Sequence, residues 1–361
     1  MIPVSQPFLP PKVEYDNLVN SLWERKWLTN NGPYVQQLEN ELKAYLDVPS
    51  LSFVSNGTIA LQLAIKSLGI RGSVITTPFS FVATTTSILW ENCQPIFVDI
   101  DPLTLCIDPN KIEAAITEDT DAILATHVYG IPCNVKRIEE IAKKHNLKVI
   151  YDAAHAFGVR YNGRSLLSYG DISTLSFHAT KLFHTVEGGA VVNNCGREAE
   201  KSINLLRSFG FEGEQYITVG INGKNSEFHA AMGLCNLKYI DEIIKKRESI
   251  TQAYDHLLKD LYSRPILPDN VQYNYSYYPI IFSTEDELKS TQKKLQENGI
   301  ETRRYFYPSL NRLSYLQSLT SCPISEDISK RVLCLPLFSE LEMDEVERIS
   351  NLIIKKEAII R

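Results

Sequence analysis

The chain has 361 residues, 44% of them hydrophobic and 22% charged, which is typical of a globular protein of two or three domains. Its formal charge of −6 disfavours a protein whose main partner is nucleic acid. The sequence has no long apolar run, no signal peptide at its start, and seven single cysteines without a C-x-x-C pair. We therefore expect a cytoplasmic protein with no membrane span, no disulfide framework and no metal site.

Strand and helix patterns alternate between residues 50 and 200. Short runs rich in β-branched residues predict strands at 74–77, 95–100, 122–126, 148–151, 173–177 and 190–193. Between them, apolar residues recur at helical spacing, as in Leu61, Ala64, Ile65 and Leu68. This alternation predicts an α/β fold whose mostly parallel sheet is covered on both faces, with a ligand at the carboxyl ends of the strands.

The chain changes character after Phe228. The pattern predicts one helix to about residue 261, a connection over 264–274, and then a smaller α+β unit. That unit is predicted to hold a strand at 278–283, a helix at 285–298 and a final helix at 343–356. We place the domain boundary near residue 245, which divides the chain into domains 1–245 and 246–361.

Three features point to chemistry. Asn56-Gly57-Thr58 stands at the start of a helix, where free backbone amides favour a phosphate. Asp152 ends a predicted strand and is suited to a protonated ring nitrogen, and Lys181 follows the next strand among aromatic and small residues. Each has an ordinary alternative: a helix cap, a turn aspartate or a solvated lysine. Together they match the needs of pyridoxal phosphate, which takes a phosphate anchor, a pyridinium partner and a Schiff-base lysine.

Motifs of other enzyme classes are missing. The sequence has no G-x-G-x-x-G after a strand, no G-x-x-x-x-G-K-[ST], no G-x-S-x-G and no H-E-x-x-H. Dinucleotide-binding, nucleotide-hydrolysing, serine-hydrolase and metallopeptidase interpretations therefore have no support.

The same residues carry a resemblance to the sugar-nucleotide aminotransferases of the DegT/StrS type. The resemblance covers nearly the whole chain and is strongest at residues 127–130, 152–158 and 176–190. It implies the aspartate-aminotransferase architecture (fold type I), with a large, mixed, mostly parallel sheet domain and a smaller C-terminal α+β domain. It also implies a homodimer with shared active sites.

The resemblance implies a role for each motif residue. Lys181 would form the Schiff base with pyridoxal 5′-phosphate, and Asp152 would pair with the pyridinium nitrogen. The other implied cofactor contacts are Gly57, Thr58, Phe81, His155, Ser176 and, from the neighbouring subunit, Asn222. Ordinary alternatives are that Phe81 is a core residue and that Ser176 is a plain strand hydroxyl.

Two departures from the commoner C3-aminating type concern the substrate. Residues 182–186 read LFHTV, and Lys224 stands where many members carry arginine. Both resemble the branch that aminates C4 of a nucleotide-linked 4-keto-6-deoxy sugar. We expect L-glutamate to donate an amino group to dTDP-4-keto-6-deoxyglucose, giving dTDP-4-amino-4,6-dideoxyglucose (dTDP-viosamine) for cell-surface polysaccharide such as O-antigen. The candidate substrate contacts are His184, Lys224, Arg303, Arg304 and Tyr305.

Other interpretations stay open from the sequence. A structural role explains His184 better than a contact to the sugar, and a solvated basic pair explains Arg303 and Arg304 equally well. The runner-up activity is C3 amination of a 3-keto isomer. A few relatives use the scaffold for dehydration, with the lysine replaced, and others are thought to be binding or regulatory proteins. The presence of Lys181 and Asp152 favours transamination.

Overall fold

The structure is a computed structural model that describes residues 1–316 and 320–354. Its strands are β1 Leu51–Val54, β2 Ser73–Thr76, β3 Gln94–Phe97, β4 Thr120–Thr126, β5 Lys148–Asp152, β6 Arg160–Tyr161, β7 Arg164–Ser165, β8 Ile172–Ser176, β9 Gly189–Asn193, β10 Phe211–Glu212, β11 Gln215–Tyr216, β12 Val271–Gln272, β13 Tyr278–Ile281 and β14 Val332–Leu335.

The helices lie before, between and after these strands. They are α1 Lys12–Arg25, α2 Pro33–Leu46, α3 Gly57–Ser67, α4 Val82–Trp90, α5 Pro109–Ile112, α6 Val135–His145, α7 Arg197–Leu206, α8 Glu227–Leu237, α9 Ile240–Leu258, α10 Glu285–Glu297, α11 Pro323–Arg331 and α12 Met343–Ile354.

A seven-stranded sheet with the order β1-β9-β8-β5-β4-β2-β3 forms the centre of the fold. Strands β3, β2, β4, β5 and β8 pair in parallel, whereas β9 pairs antiparallel with both β8 and β1. The pairing sets Thr126 opposite Asp152 and Asp152 opposite Thr174, so the carboxyl ends of β4, β5 and β8 meet at one edge. The predicted α/β fold with a mostly parallel sheet is confirmed.

Alternate residues of the central strands enter two cores, one on each face of the sheet. Ile75 and Ile123 belong to one buried cluster, whereas Val74 and Leu124 belong to the other. Helix α3 packs on the second cluster through the predicted stripe, with Leu61, Ala64 and Ile65 all buried. Because both faces are covered, a ligand reaches the sheet only at its edges.

The predicted helix after Phe228 is wrong in one respect, because the chain forms two helices, α8 and α9. Lys238 and Tyr239 separate them, and Tyr239 lies at the margin of the helical region, with φ −106° and ψ −1°. Neither glycine nor proline lies at this break, and the apolar spacing continues through it. The sequence therefore predicts a single helix. The predicted helix 343–356 ends at Ile354, and its last two positions lie outside the described residues.

Helix α9 joins the two parts of the molecule. Its first half contributes Ile243 to the core of the large sheet, and its second half contributes Ile250 and Tyr254 to a separate C-terminal core. That second core also surrounds the antiparallel pair β13–β14. The boundary near residue 245 falls inside this helix and stays a prediction. The N-terminal end joins the C-terminal part, since Ile2 pairs with Ile300.

Membrane-spanning helices and metal-ion sites are both absent from the described residues. No helix within residues 1–316 and 320–354 is long and apolar enough to span a membrane. In the same residues, no group of three or more histidine, cysteine, aspartate or glutamate side chains is arranged to hold a metal ion.

Candidate active site

A cavity of about 580 Å³ opens at the carboxyl ends of β4, β5 and β8. It brings together most of the residues singled out from the sequence, which come from positions more than two hundred residues apart in the chain. The predicted residues that line it are Gly57, Thr58, Phe81, Asp152, His155, Ser176, Lys181, Arg303 and Tyr305.

Lys181 lies in the loop between β8 and β9. Its Nζ donates a hydrogen bond to the Tyr277 hydroxyl at 3.3 Å and lies 5.9 Å from the centre of that ring. Burial lowers the pKa of the Lys181 amine, although the nearby Tyr305 and Asp152 act in the opposite direction. A lowered pKa increases the share of uncharged amine, which is the nucleophilic form.

Asp152 is the last residue of β5, and only 6% of it is exposed. The Thr84 hydroxyl donates to its Oδ2 at 2.7 Å, and the Ala154 N–H donates to its Oδ1 at 3.2 Å. Burial raises the pKa of the Asp152 carboxyl, against the lowering effects of these two donors and of Lys181. The carboxyl group is therefore fixed in orientation and gains further stability as an anion from any cation that binds beside it.

The start of α3 packs against the end of β8, and both line the cavity. Asn56 caps the helix by accepting a hydrogen bond from the Ile59 N–H at 2.9 Å, so the amides of the first turn point outward. A Cβ atom on Gly57 would lie 2.9 Å from the Cβ of Ser176, closer than such atoms normally approach. Glycine thus lets the first-turn amides of α3 lie close to the Ser176 hydroxyl, and both kinds of group can donate hydrogen bonds to an anion.

Two rings offer flat surfaces to the cavity. Phe81 precedes α4 and is 52% exposed, which argues against the alternative that it is a core residue. His155 is buried, and its Nδ1 accepts a hydrogen bond from the Tyr129 N–H at 3.1 Å. Burial also lowers the pKa of His155 well below its usual value. The ring is therefore neutral, and its proton is on Nε2, where it can be donated to an acceptor.

Four predicted substrate contacts or cofactor contacts lie outside this cavity. His184 is 2% exposed, and its Nε2 bonds to the Phe8 carbonyl at 2.7 Å, which corrects the expectation that it borders the sugar. Arg304 pairs with Glu285 at 3.1 Å and donates to the Lys330 carbonyl at 3.0 Å, so it stabilises the C-terminal part instead. Both are structural residues of this chain.

Asn222 and Lys224 also stand apart from the cavity of their own chain. Asn222 is exposed, and its Oδ1 accepts a hydrogen bond from Lys224 Nζ at 2.8 Å. The Lys224 ammonium lies 4.7 Å from the Phe209 ring centre. Neither side chain lines the cavity that contains Lys181.

Sequence reasoning missed several residues that build the site. Tyr277 accepts a hydrogen bond from the Lys181 amine, and Thr84 donates one to Asp152. The Phe306 ring stacks on His155. Thr84 comes three positions after Phe81 and could have been found by placing both on one helix turn. Tyr277 and Phe306 belong to the C-terminal part, and no local signal connects them to β5 or β8.

Comparisons with known proteins identify the family of the chain. The model of the DegT/DnrJ/EryC1/StrS aminotransferase family matches residues 12–354. A relative from Shigella dysenteriae named dTDP-4-amino-4,6-dideoxy-D-glucose transaminase is 45% identical, over 97% of each chain. A protein of the same name from Escherichia coli is 42% identical, over 98% of each chain.

The fold is similar to that of solved sugar aminotransferases. DesI, solved in the presence of its TDP-sugar product, superposes with a TM-score of 0.92 at 31% identity, covering 98% of this chain and 92% of that one. The family match spans both the large sheet and the C-terminal part, and it includes every residue that lines the cavity. The chain therefore belongs to the DegT/DnrJ/EryC1/StrS aminotransferase family.

Proposed function

We propose that this enzyme uses pyridoxal 5′-phosphate to transfer an amino group from L-glutamate to C4 of dTDP-4-keto-6-deoxyglucose. The product would be dTDP-4-amino-4,6-dideoxyglucose, a building block for cell-surface polysaccharide such as O-antigen. The observation that carries the proposal is the convergence of Lys181, Asp152 and the start of α3 on one cavity. The names of the relatives at 42–45% identity support the choice of sugar.

The residues of the cavity fit the cofactor group by group. The amides at Gly57 and Thr58, with the Ser176 hydroxyl, would hold the phosphate, and Lys181 would hold the aldehyde carbon as a Schiff base. The exposed face of Phe81 would cover the ring. Asp152 would pair with the ring nitrogen, and the Nε2 proton of His155 would be donated to the ring hydroxyl.

When bound, the cofactor supplies an electron sink that stabilises negative charge at the carbon bearing the amino group. Lys181 would act as the base that removes a proton from that carbon and returns one. Burial favours the uncharged amine that this role needs, because it lowers the pKa of Lys181. The negative charge of Asp152 would keep the facing ring nitrogen protonated.

The substrate's diphosphate calls for cations at the cavity. Arg303 is exposed at the cavity wall, with its guanidinium 5.0 Å from the Tyr305 ring centre. It would bind the negatively charged part of either substrate, beside the polar hydroxyl of Tyr305. Lys224 would add a second cation from the neighbouring subunit.

We also propose a homodimer in which each subunit completes the site of the other. Asn222, expected to reach the phosphate, follows a segment rich in exposed apolar side chains, including Tyr216 at 77% and Val219 at 83%. Apolar side chains that are this exposed are suited to burial against a second copy of the chain. The seven cysteines are free thiols, which supports a reducing compartment such as the cytoplasm.

The test is to supply L-glutamate with dTDP-, UDP- and GDP-linked 4-keto-6-deoxy sugars and with the dTDP-linked 3-keto isomer. Mass spectrometry detects the product, and NMR locates the new amine. We expect the dTDP-linked 4-keto sugar to react best and to gain its amine at C4. An amine at C3, or preference for a GDP-linked sugar, would overturn the choice of substrate and leave aminotransferase activity standing. No transfer to any of the four would overturn the proposal itself.

A further inference from the structure

Three buried hydroxyls form a hydrogen-bonded chain that ends on the Asp152 carboxylate. Thr126 Oγ1 donates to Ser80 Oγ at 3.0 Å, Ser80 Oγ lies 2.6 Å from Thr84 Oγ1, and Thr84 Oγ1 donates to Asp152 Oδ2 at 2.7 Å. All four side chains are buried. They come from β4, the loop before α4, α4 itself and β5, so tertiary structure brings them together.

The hydrogen count fixes the direction of this chain. Each hydroxyl has a single proton to donate. Thr84 gives its proton to Asp152 and Thr126 gives its proton to Ser80, so the proton between Ser80 and Thr84 comes from Ser80. This order delivers a proton to the Asp152 oxygen, and a hydrogen bond to a charged acceptor is stronger than one to a neutral acceptor. The arrangement therefore matches the charged form of Asp152.

This bond opposes the effect of burial. Burial raises the pKa of Asp152, and the Thr84 hydroxyl lowers it more than the Ala154 amide or Lys181 does. Lys181 lowers the pKa of Asp152 least of the three. The other titratable groups that line the cavity with Asp152 are His155, His178, Lys181, Glu187, Arg303 and Tyr305.

We propose that Thr84 is a positioning residue that holds Asp152 ionised and aimed into the cavity, with Ser80 and Thr126 fixing the direction of its proton. The significance of this role rests on the proposed function, because an ionised Asp152 is what a protonated ring nitrogen needs. The contact itself belongs to the protein alone and can be tested without the cofactor.

The test compares three variants of the full-length, cofactor-free protein. Thr84→Val removes the hydroxyl and keeps the shape, and Thr84→Ser restores the hydroxyl. Thr85→Val is the matched control, because Thr85 is equally buried on the same helix and its hydroxyl has no partner among the described residues. Difference infrared spectroscopy follows protonation of the carboxyl as the pH falls, with Asp152→Asn identifying the Asp152 band. Circular dichroism confirms that each variant is folded.

We expect the Asp152 titration midpoint to move to a pH about 1 higher in Thr84→Val, since a hydrogen bond to a charged group is lost. It should return towards the wild-type value in Thr84→Ser and stay unchanged in Thr85→Val. Pyridoxal phosphate affinity should fall about tenfold in Thr84→Val, and this loss should vanish in an Asp152→Asn background. If Thr84→Val leaves the midpoint in place, the inference is overturned.

The two proposals fail separately in this experiment. Wild-type protein that binds no pyridoxal phosphate would reject the proposed function, whereas the infrared midpoint would still decide the role of Thr84. An unchanged midpoint in a wild type and variant that both bind the cofactor would reject only the role of Thr84. A loss of affinity that persists in the Asp152→Asn background would likewise show that Thr84 acts through general packing.

Discussion

The proposed reaction depends on Lys181 more than on any other side chain. Its amine is buried next to Tyr277, in a cavity that Asp152 also lines. We expect Lys181→Ala to reduce turnover by about 10³-fold or more, because proton transfer and covalent binding are both lost. Lys143→Ala is the control, since Lys143 is exposed and pairs with Glu139 on the surface of α6.

Steady-state rates with glutamate and the keto sugar, together with circular dichroism, check this prediction. Both variants should keep the wild-type spectrum. Turnover within tenfold of wild type in Lys181→Ala would assign the chemistry to another residue.

Sequence alone could predict the functional residues that lie at or just after the end of a strand. Lys181 and Asp152 have this position, and both line the cavity. It could not predict Thr84 or Tyr277, since a hydroxyl becomes functional only through the group that tertiary structure places beside it. His184 shows the reverse error, because a histidine near the lysine in sequence is turned towards the Phe8 carbonyl.

Among the elements, α3 depends on a glycine at its first position. A Cβ on Gly57 would approach Ser176 to 2.9 Å, so Gly57→Ala should push α3 away from β8 and weaken pyridoxal phosphate binding about tenfold. Gly69→Ala, just beyond the other end of the helix, is the control. Its φ of +70° disfavours alanine, and nothing lies within 4 Å of the added atom. It should cost about 1 kcal/mol of stability and leave cofactor affinity unchanged.

Absorbance titration with pyridoxal phosphate measures the affinity, and urea unfolding measures the stability. Equal affinities of Gly57→Ala and wild type would argue against a phosphate site at the start of α3.

The buried histidine that follows β4, His127, makes the free energy of unfolding depend on pH. His127 is fully buried, its Nδ1 accepts the Cys133 N–H at 3.1 Å, and burial lowers its pKa to about 3. The unfolded chain therefore binds a proton at His127 below about pH 6.5, whereas the folded chain does not until about pH 3. The free energy of unfolding therefore decreases as the pH falls through this window, by about 1.4 kcal/mol per pH unit for one such group.

The variant His127→Asn keeps an acceptor near the Nδ1 position and removes the titration. Urea unfolding between pH 7 and pH 4 should show a shallower loss of stability in the variant. His155 and His184 also have lowered pKa values, but they contribute equally to both proteins, so the difference isolates His127. Parallel curves would contradict the prediction.

At the scale of elements, short β-branched runs that alternate with helical patterns predicted the strands β2, β4, β5, β8 and β9 well. It did not separate α8 from α9, since the break at Tyr239 carries no glycine or proline. Strand β1 is not among the predicted strands, because four buried residues have no period to distinguish strand from helix. Its antiparallel pairing with β9 depends on residues far along the chain.

For the whole molecule, shared sites make a specific prediction about mixed dimers. Lys181→Ala and Asn222→Arg would each be inactive alone, because one lacks the amine and the other blocks the proposed phosphate contact. If Asn222 acts across the interface, a heterodimer has one site with both defects and one intact site. Random exchange of subunits should then restore activity to about one quarter of the wild-type level.

Denaturing and refolding the two variants together, then assaying turnover and mass by light scattering, measures this. Activity no higher than the sum of the separate variants, in a confirmed dimer, would place Asn222 outside the partner's site. An active monomer would reject the shared-site proposal altogether.

The central claim is that Lys181 holds pyridoxal phosphate as a Schiff base, and one measurement tests it most directly. Borohydride reduction of the protein with bound cofactor makes this bond permanent, and peptide mapping by mass spectrometry then finds the modified residue. We expect a single pyridoxyl group on the peptide containing Lys181, and none in Lys181→Ala. Label on another lysine, or no label on protein that has been saturated with the cofactor, would contradict the account.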